Sequence, residues 1–405
     1  MPAALKVLVV FGSRPEAIKM FPVVQALKSD ARFAVSVCAS GQHQSLLDQV
    51  LDIFDIAPDY RLSTMVPGQS LDNLCAVLLV KLGEVMDKEQ PDWVLVQGDT
   101  ATAMTAALAA YHRQIPVAHI EAGLRSHDIY RPWPEEANRR IITAVADLHF
   151  APTGTAAATL LKEGVDRGRI HLTGNTGIDA LFWIMSQIER EPEMIAGLDP
   201  LARRFAGKRI IVTTVHRRES IGSAMGDIAQ ALRQIAERED VAVIVPLHPN
   251  PAVRAEFEPV LRDLDNVALI EPLDYPHFVG LLVMSDLILT DSGGVQEEAP
   301  ACGCPVLVLR DTTERGEAIS AGTARLVGTE TGRIVSETNA LLDDHVAYQA
   351  MARRHNPFGD GKAAWRILET LAEEAAAIGD RPLVLTKRVW EGGSAQPSKA
   401  FEWGL

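Results

Sequence analysis

Cysteine is scarce in this sequence, and its few copies form no recognised motif. The 405 residues include Cys38, Cys75, Cys302 and Cys304. Their spacing matches neither a ladder of zinc ligands nor a two-residue redox pair. The last two are separated only by Gly303 and lead into an apolar run, so packed free thiols are expected. We therefore predict no metal site and a reducing, cytoplasmic setting.

Long apolar stretches and a basic excess are also missing. No run approaches the roughly 20 residues of a membrane helix, and the longest stops at Lys81. The first apolar run is short and meets Arg14 and Glu16 at once, unlike a secretory signal. Lysine and arginine total 39 against 53 acidic residues, a formal charge of −14. Neither a membrane nor a nucleic acid is expected as partner, and an anionic ligand needs a local cluster of cations.

Glycine is sparse where the first strand turns into a helix, in "VVFGSRPEAIKMFP". Dinucleotide-binding proteins carry several glycines there, so we expect no NAD and no other cofactor. Ser13 and Glu16 have the spacing of a capping box, and on that interpretation Arg14 merely faces solvent. Alternatively, Arg14 lies at the carboxyl end of the strand, where α/β sheets bind ligands, and reaches a diphosphate.

Apolar strands alternating with helices are what the sequence does contain. Continuous valine- and isoleucine-rich runs are typical of parallel strands buried on both faces. Helical segments lie between them, which predicts α/β domains with doubly wound parallel sheets. The predicted strands are 6–11, 34–40, 92–99, 116–122, 147–153, 209–215, 241–247, 267–272, 286–291 and 305–310.

Two segments of the chain are roughly alike. "KVLVVFGSRPE" and "KRIIVTTVHRRES" each contain a basic residue, an apolar strand, a polar turn, further basic residues and a glutamate. This similarity predicts two Rossmann-like domains facing each other across a cleft, with boundaries at 1–176 and 177–360. An amphipathic helix at about 361–378 is expected to pack back on the first domain. The tail, 381–405, has no assigned role.

A glycine pair in the second half, in "LILTDSGGVQEEAP", favours a nucleotide site. Gly293 and Gly294 allow backbone amides to approach a phosphate, while Ser292 caps the following helix and donates to an oxygen. Glu298, one helical turn later, is placed to accept both hydroxyls of a ribose. The alternative is a plain tight turn followed by a surface charge.

Basic residues follow two other segments of this half. His216, Arg217 and Arg218 end a predicted strand in "TTVHRRES" and supply positive charge in an acidic protein. Arg315, in "DTTERGEA", is either a diphosphate ligand or a salt-bridged loop residue.

Acidic residues in the first half follow successive predicted strands. Asp99 ends "VQGDT", Glu121 lies in "HIEAGLRS", and Glu135 and Glu136 lie in "YRPWPEEANRR". Loops at one sheet edge share a cleft, and clustered carboxylates suit proton transfer because burial raises the pKa of one of them. Alternatively, Asp99 and Glu121 are helix caps, and one of the paired glutamates binds the two arginines that follow.

Eight ordered motifs together resemble the non-hydrolysing UDP-N-acetylglucosamine 2-epimerases, from about Lys6 to about Glu374. They are "GSRPEAIKM", "QGDT", "HIEAGLRS", "PWPEEANR", "TGNTGIDAL", "HRRES", "TDSGGVQEEAP" and "TTERGEA". The resemblance implies a GT-B fold, with UDP held mainly by the second domain, and a homodimer. It also implies interconversion of UDP-GlcNAc and UDP-ManNAc by anti-elimination of UDP to a 2-acetamidoglucal and re-addition, for cell-envelope polysaccharide synthesis.

The resemblance also implies roles for individual residues. Asp99, Glu121 and Glu135 become the catalytic acids and bases, and His216 assists the departure of UDP. The residues that it implies for binding UDP and the sugar are Arg14, Lys19, His216, Phe278, Ser292, Gly293, Gly294, Glu298 and Arg315. Gln42, His43 and Gln69 match positions where some relatives bind a second UDP-GlcNAc as activator, whereas Ser45 and Gly68 depart from that pattern.

The chemistry is consistent with this resemblance. The hydrogen on sugar carbon 2 is not next to a carbonyl, so a carboxylate alone cannot remove it. Either NAD oxidises a neighbouring carbon, or the anomeric group leaves as the proton departs, which requires cations on the diphosphate. A hydrolysing 2-epimerase, a 2-epimerase of a UDP-diacetamido uronic acid, a GT-B glycosyltransferase and a non-enzymatic UDP-sugar sensor are the alternatives.

Overall fold

The structure, a computed structural model, describes residues 4–41, 44–66, 68–216, 223–352 and 355–379. They fold around two parallel β-sheets, each with helices on both faces. This arrangement confirms the expected α/β class with two doubly wound sheets. Among the described residues, none of the helices is both long and apolar enough to cross a membrane.

The first sheet has seven strands in the order β3-β2-β1-β4-β5-β6-β7. All its neighbouring strands run parallel. The order reverses between β1 and β4, so the loops after these two strands flank a crevice at the carboxyl edge. The strands are β1 Leu5–Phe11, β2 Phe33–Ala39, β3 Tyr60–Arg61, β4 Trp93–Gln97, β5 Val117–Ile120, β6 Leu148–Ala151 and β7 Ile170–Leu172.

The second sheet repeats this plan with six strands in the order β10-β9-β8-β11-β12-β13. Its order reverses between β8 and β11, which places a second crevice at the carboxyl ends of those strands. The strands are β8 Arg209–Thr214, β9 Val241–Pro246, β10 Val267–Ile270, β11 Leu287–Thr290, β12 Val306–Val308 and β13 Ala324–Leu326.

Helices connect the strands and cover the sheets. Those of the first half are α1 Arg14–Lys28, α2 Gln44–Ile53, α3 Leu71–Glu89, α4 Ala101–His112, α5 Glu135–Val145, α6 Gly154–Lys162 and α7 Thr176–Arg190. Those of the second half are α8 Asp199–Arg204, α9 Ser223–Ile235, α10 Pro251–Leu261, α11 Tyr275–Met284, α12 Gly293–Glu298, α13 Gly316–Ala321, α14 Thr331–Asp343 and α15 His345–Ala352; α16 Ala363–Gly379 follows them. Short 3-10 helices occupy Arg167–Arg169, Pro192–Leu198 and Ala299–Cys302.

Sequence periodicity located all but the shortest strands. Strands β3, β7 and β13 were missed because two or three residues show little pattern by themselves; β12 is equally short, but it lies in the longer apolar run "PVLVLR" and was located. The predicted runs also extended past the strand ends, since polar residues such as Asp99 belong to the loops that follow.

Alternation along β1 explains why that strand is apolar throughout. Val7, Val9 and Phe11 pack into the layer that contains α1, while Leu8 and Val10 pack into the layer that contains α3 and α4. The expectation of packed thiols is confirmed, because Cys38 and Cys304 are buried and unpaired. Burial raises the pKa of the Cys304 thiol to about 12.

Helices α7 and α16 lie where the two halves meet. Helix α7 contributes Leu181 and Ile184 to the core beneath β1, and α16 adds Leu371 to the same core. The Asp179 carboxylate of α7 accepts the backbone N–H groups of residues 363 and 364, at 3.2 and 2.9 Å. Helix α16 thus packs on the first half. The boundary at residue 176 stays a prediction, since α7 also contacts α11.

Candidate active site

The candidate site lies where the carboxyl edges of the two sheets meet. Lys19 Nζ of α1 is 3.9 Å from Glu297 Oε2 of α12, which joins charged groups of both halves. At the same junction, the Thr153 hydroxyl donates to Glu317 Oε1 of α13 at 2.6 Å. Side chains from both crevices can therefore reach one ligand.

The first turn forms the predicted capping box. Glu16 accepts the N–H groups of Gly12 and Ser13 at 3.1 and 2.7 Å, so this glutamate is structural. A Cβ at Gly12 would lie 2.4 Å from the Thr102 hydroxyl, so the single glycine allows close packing with α4. Arg14 is exposed at the first position of α1.

Glu121 follows β5 in the left-handed region, at φ 65°, a conformation that is costly for a residue with a Cβ. Its carboxylate accepts a hydrogen bond from Lys19 and another from Gln97 Nε2 at 2.8 Å. Burial raises the pKa of Glu121, but the charges of Lys19 and Arg315 outweigh burial and leave it below the ordinary value. Glu121 is therefore not the carboxylate of the cluster whose pKa is raised overall, because the cation beside it, Lys19, comes from a helix distant in sequence.

Asp99 follows β4 and is held by α5. Its Oδ2 accepts Arg139 Nε at 2.8 Å, and its backbone carbonyl accepts Asn138 Nδ2 at 2.7 Å. The cap interpretation of Asp99 is wrong, because Thr100 caps α4 through Ala103 N–H. The cation that faces Asp99 thus comes from the helix that begins with Glu135.

Glu135 is the first residue of α5, and the structure separates it clearly from Glu136. Glu136 is buried and accepts hydrogen bonds from Arg139 and Arg140, so it is the glutamate that binds the arginines. Glu135 Oε2 is buried without a hydrogen-bond partner among the described residues. A buried carboxylate oxygen without a partner is costly, which suits an oxygen that awaits a ligand.

His216 follows β8 and faces the loop after β11. Its backbone N–H donates to Asp291 Oδ2 at 3.0 Å, and its Nδ1 lies 3.2 Å from Asp291 Oδ1. Asp291 is fully buried, whereas the His216 side chain is 44% exposed. The carboxylate therefore holds the ring through Nδ1. Arg217 and Arg218 lie outside the described residues.

The Ser-Gly-Gly turn begins α12, and one detail of the prediction is wrong. Ser292 is the N-cap residue, but its hydroxyl makes no capping hydrogen bond. Instead its N–H donates to the Thr290 hydroxyl at 2.9 Å. Gly294 has open space where a Cβ would lie, while a Cβ on Gly293 would lie 3.5 Å from Arg315 Cζ. The serine hydroxyl and this backbone are thus open to a ligand.

Glu298 ends α12 and accepts the Tyr275 hydroxyl at 3.1 Å. Burial raises the pKa of Glu298 to about 7, and the charge of Glu297 adds to that shift. Phe278 lies one turn after Tyr275 on α11 and is half-buried against the second-half core. Helices α11 and α12 therefore place an aromatic ring and a carboxyl side by side.

Arg315 precedes α13 and is buried. Its Nε donates to Glu297 Oε1 at 2.6 Å, and its Nη1 is 3.5 Å from Glu314 Oε1. Burial lowers the pKa of Arg315, but Glu297, Glu314 and Glu121 outweigh burial and raise it above the ordinary value. The two interpretations of Arg315 are compatible, because the ion pair uses only Nε and one distant Nη contact.

Of the three residues expected at a second ligand site, the structure describes one, Gln69. Gln42 and His43 lie outside the described residues. Gln69 is engaged in its own loop, where its Nε2 donates to the Thr64 carbonyl at 3.0 Å and its Oε1 accepts Val66 N–H at 3.2 Å. Among the described residues, no three His, Cys, Asp or Glu side chains form a group that could hold a metal ion.

Comparison with known proteins decides the family. Residues 25–372 match the family described as UDP-N-acetylglucosamine 2-epimerase. The chain is 50% identical over 382 residues to the UDP-N-acetylglucosamine 2-epimerase of Escherichia coli (strain K12), covering 92% of this chain and 100% of that one. The chain belongs to the UDP-N-acetylglucosamine 2-epimerase family.

Solved structures of this epimerase family share the fold. The Neisseria meningitidis UDP-GlcNAc 2-epimerase bound to UDP-GlcNAc matches with a TM-score of 0.86 at 44% identity, over 91% of this chain and 100% of that one. The Methanocaldococcus jannaschii enzyme in complex with UDP-GlcNAc and UDP matches with a TM-score of 0.77 at 32% identity, over the same shares. The GT-B architecture expected from the resemblance is thereby confirmed.

Three residues of this epimerase-family site were missed from the sequence: Glu297, Asp291 and Tyr275. Glu297 and Asp291 lie inside the quoted "TDSGGVQEEAP" motif, where Glu298 and Ser292 drew attention instead. Their burial is the signal that identifies them, and burial is set by tertiary packing. No sequence pattern identified Tyr275 as a site residue, because its hydrogen bond to Glu298 joins two different helices.

Proposed function

We propose that this chain interconverts UDP-GlcNAc and UDP-ManNAc by inverting sugar carbon 2, without net hydrolysis. The supporting observation is one charged cluster that spans both halves of the protein. In it, Glu121 binds Lys19, Lys19 approaches Glu297, and Glu297 binds Arg315. Buried cations for a diphosphate thus lie beside a carboxylate for proton transfer.

The reaction we propose is an elimination followed by an addition. A carboxylate takes the proton from carbon 2 while the bond between carbon 1 and the diphosphate oxygen breaks, giving a 2-acetamidoglucal and UDP. UDP then re-adds to carbon 1, and a proton is delivered to carbon 2 from the opposite face. No redox cofactor takes part in this route, because neither step oxidises the sugar: each one moves only a proton and the diphosphate leaving group.

The departing diphosphate requires positive groups that are already in place. Lys19, Arg14 and Arg315 supply guanidinium and ammonium groups, and His216 donates a proton or hydrogen bond to the leaving oxygen. Burial lowers the pKa of Lys19, but Glu121 and Glu297 outweigh burial and keep it above the ordinary value, so Lys19 stays charged. Ser292 and the backbone amides of Gly293 and Gly294 complete the cradle.

The proton transfers fall to Asp99, Glu121 and Glu135. Glu121 is ionised in the free protein because the charge of Lys19 lowers its pKa. When a diphosphate binds, it competes for Lys19, and weaker pairing raises the basicity of Glu121 where the sugar lies. We assign proton transfer on the other face to Glu135, because its Oε2 is buried without a hydrogen-bond partner among the described residues. Glu298 accepts the ribose hydroxyls, and Phe278 lies near the uracil.

Isotope exchange tests this proposal. The protein is incubated with UDP-GlcNAc in heavy water, and carbon 2 of the recovered sugars is followed by NMR. Deuterium at carbon 2 of both UDP-GlcNAc and UDP-ManNAc is the expected result. Free ManNAc would indicate a hydrolysing enzyme instead, and unlabelled, unconverted substrate would overturn the elimination. A UDP-diacetamido uronic acid offered in competition tests the choice of sugar.

We further propose a homodimer that works in the cytoplasm and supplies sugars for cell-envelope polysaccharide. Outward-facing apolar side chains on three neighbouring helices support the dimer. Val80 of α3, Tyr111 of α4 and Ile141 of α5 are 60%, 58% and 38% exposed. Helix α4 contacts both α3 and α5, so these side chains lie on one face of the first half.

A further inference from the structure

We propose that Glu297 is a positioning residue. It orients the Arg315 guanidinium towards the diphosphate and links Arg315 to the junction between the two halves. The junction means segments 173–175 and 356–359, which lie beside each other where α7 and α16 begin. This inference rests on the proposed function, in which Arg315 binds the diphosphate of a UDP-sugar. Glu297 itself is given no contact with substrate.

The first support is the contact with Arg315. Glu297 is 3% exposed, and within the part of the chain that the structure describes its Oε1 accepts the Nε of that guanidinium, at 2.6 Å. An arginine held through Nε keeps its two terminal nitrogens together on the opposite side, the arrangement that suits bidentate binding of a phosphate. The α12 turn packs directly beside this guanidinium, since a Cβ on Gly293 would lie in van der Waals contact with Arg315 Cζ, at 3.5 Å.

The second support is the contact with the junction. Glu297 Oε2 accepts Asn175 Nδ2 at 2.8 Å, and the Glu297 backbone carbonyl accepts Asn356 Nδ2 at 2.9 Å. Asn175 N–H in turn donates to the Phe358 carbonyl at 2.6 Å. One residue of α12 therefore binds both segments by which the chain passes between the halves.

The third support is electrostatic. Lys19 Nζ lies 3.9 Å from Glu297 Oε2, so Glu297 joins a first-half cation and a second-half cation across the cleft. Its negative charge by itself opposes the binding of a diphosphate. A geometric role and a purely electrostatic role therefore predict opposite effects when the charge is removed.

The first experiment removes that charge in Glu297→Gln and measures UDP binding by calorimetry. If Glu297 positions Arg315, the dissociation constant for UDP rises about 10- to 100-fold, because the single oxygen of glutamine cannot serve both Arg315 and Asn175 and the charge-assisted hydrogen bond is lost. An unchanged or tighter dissociation constant overturns the proposal. The same Glu297→Gln change is then made in an Arg315→Lys background, which has no guanidinium to orient. There it should change the free energy of UDP binding by less than about a third of the change seen in the wild-type background. Additive effects would also overturn it.

The second experiment breaks the junction contact and spares Arg315. Asn175→Asp keeps the side-chain oxygen that accepts Gly177 N–H at 2.9 Å, and replaces the donor to Glu297 with an acceptor. We expect kcat for UDP-GlcNAc to fall about 10-fold while the dissociation constant for UDP changes less than about 3-fold. Unchanged kcat, or a loss confined to UDP affinity, overturns the link to the junction. This variant also serves if Glu297→Gln does not fold.

Glu337→Gln is the matched control, because Glu337 pairs with Arg325 on the surface of the same half. Its UDP affinity and kcat should equal those of the wild type, and thermal unfolding is measured for every variant. The results of these experiments distinguish a failure of this inference from a failure of the proposed function. A wild-type protein that binds UDP but does not exchange carbon 2 refutes the epimerase, while the loss of UDP affinity in Glu297→Gln would still support the positioning role.

Discussion

At the scale of single residues, adjacent glutamates in one short helix have different chemistry. Glu297 accepts a hydrogen bond from the Arg315 guanidinium, whereas Glu298 accepts one from a tyrosine hydroxyl. Burial raises the pKa of Glu298 to about 7, because it outweighs the hydrogen bond from Tyr275 and the charges of Lys19 and Arg14, which lower that pKa. The charge of Glu298 therefore changes in the range of pH at which enzymes are assayed.

This shift predicts how UDP-GlcNAc binding depends on pH in Glu298→Gln. The ionised carboxylate accepts ribose hydroxyls better than the protonated form, so wild-type affinity should increase as pH rises through about 7. The variant should have a KM about 10-fold higher than wild type at pH 8, and a smaller difference at pH 6. Initial rates at both pH values measure this. An equal KM ratio at the two pH values would contradict it.

Asp291 yields a second residue-scale prediction. Asp291→Asn keeps an oxygen for the His216 backbone N–H but removes the charge beside His216 Nδ1. A ring without this partner is no longer held in one orientation towards the leaving diphosphate, so kcat should fall about 10-fold or more. Steady-state kinetics with UDP-GlcNAc test this. Asp343→Asn, which breaks a surface pair with Arg238, should retain wild-type kcat.

The residues in the motifs were largely recognised from the sequence, but their partners were not. The capping box of Ser13 and Glu16 depends on local spacing, so the sequence predicted it correctly. The contact between Lys19 and Glu121 joins residues 102 positions apart, and no local pattern encodes it. For that reason the sequence did not show that Glu121 is the member of the carboxylate cluster whose pKa is lowered.

At the scale of elements, the start of α16 is held by a residue of α7, a helix distant in sequence. Its first N–H groups are accepted by the Asp179 carboxylate of α7. Periodicity predicted α16 as an amphipathic helix, and its apolar face indicated that it packs on other elements. The capping carboxylate could not be predicted, because it comes from a helix more than 180 residues earlier.

Asp179 predicts a pH effect on stability. Burial raises its pKa to about 6, despite two N–H donors that favour the charged form. Between about pH 4 and pH 6 the folded chain keeps a proton that the unfolded chain has lost, so this contribution to stability falls as pH rises. Relative to Asp179→Asn, the wild type should gain on the order of 2 kcal/mol between pH 7 and pH 4.5.

Urea unfolding of both proteins at the two pH values measures this difference. A wild-type advantage that grows as pH rises would contradict the sign. Glu337→Gln serves as the control, and its stability relative to wild type should vary with pH far less than that of Asp179→Asn.

At the scale of the whole molecule, two sheets of the same plan present their carboxyl edges to one cleft. The strand–helix alternation and the rough duplication in the sequence predicted this architecture. They did not predict how closely the halves join, which depends on contacts such as that between Thr153 and Glu317.

The homodimer predicts an effect of charge on α3 and α5. Val80→Glu combined with Ile141→Glu should convert a dimer of 44.0 kDa chains into monomers, because each places a carboxylate on the proposed apolar face. Light scattering after size exclusion measures the mass. Val346→Glu, on a 78% exposed side chain of α15, should leave the dimer intact. A wild-type protein that is monomeric at micromolar concentration would refute the proposal.

The packing of α16 on the first half has a consequence for synthesis on the ribosome. The layer beneath β1 needs Ile367 and Leu371, which follow the entire second half in the chain. Roughly 190 residues separate β7 from α16, and at about 5–20 residues per second their translation takes about 10–40 s. During that interval the emerging first half exposes apolar surface that only the last helix covers, which gives chaperones a defined period in which to bind.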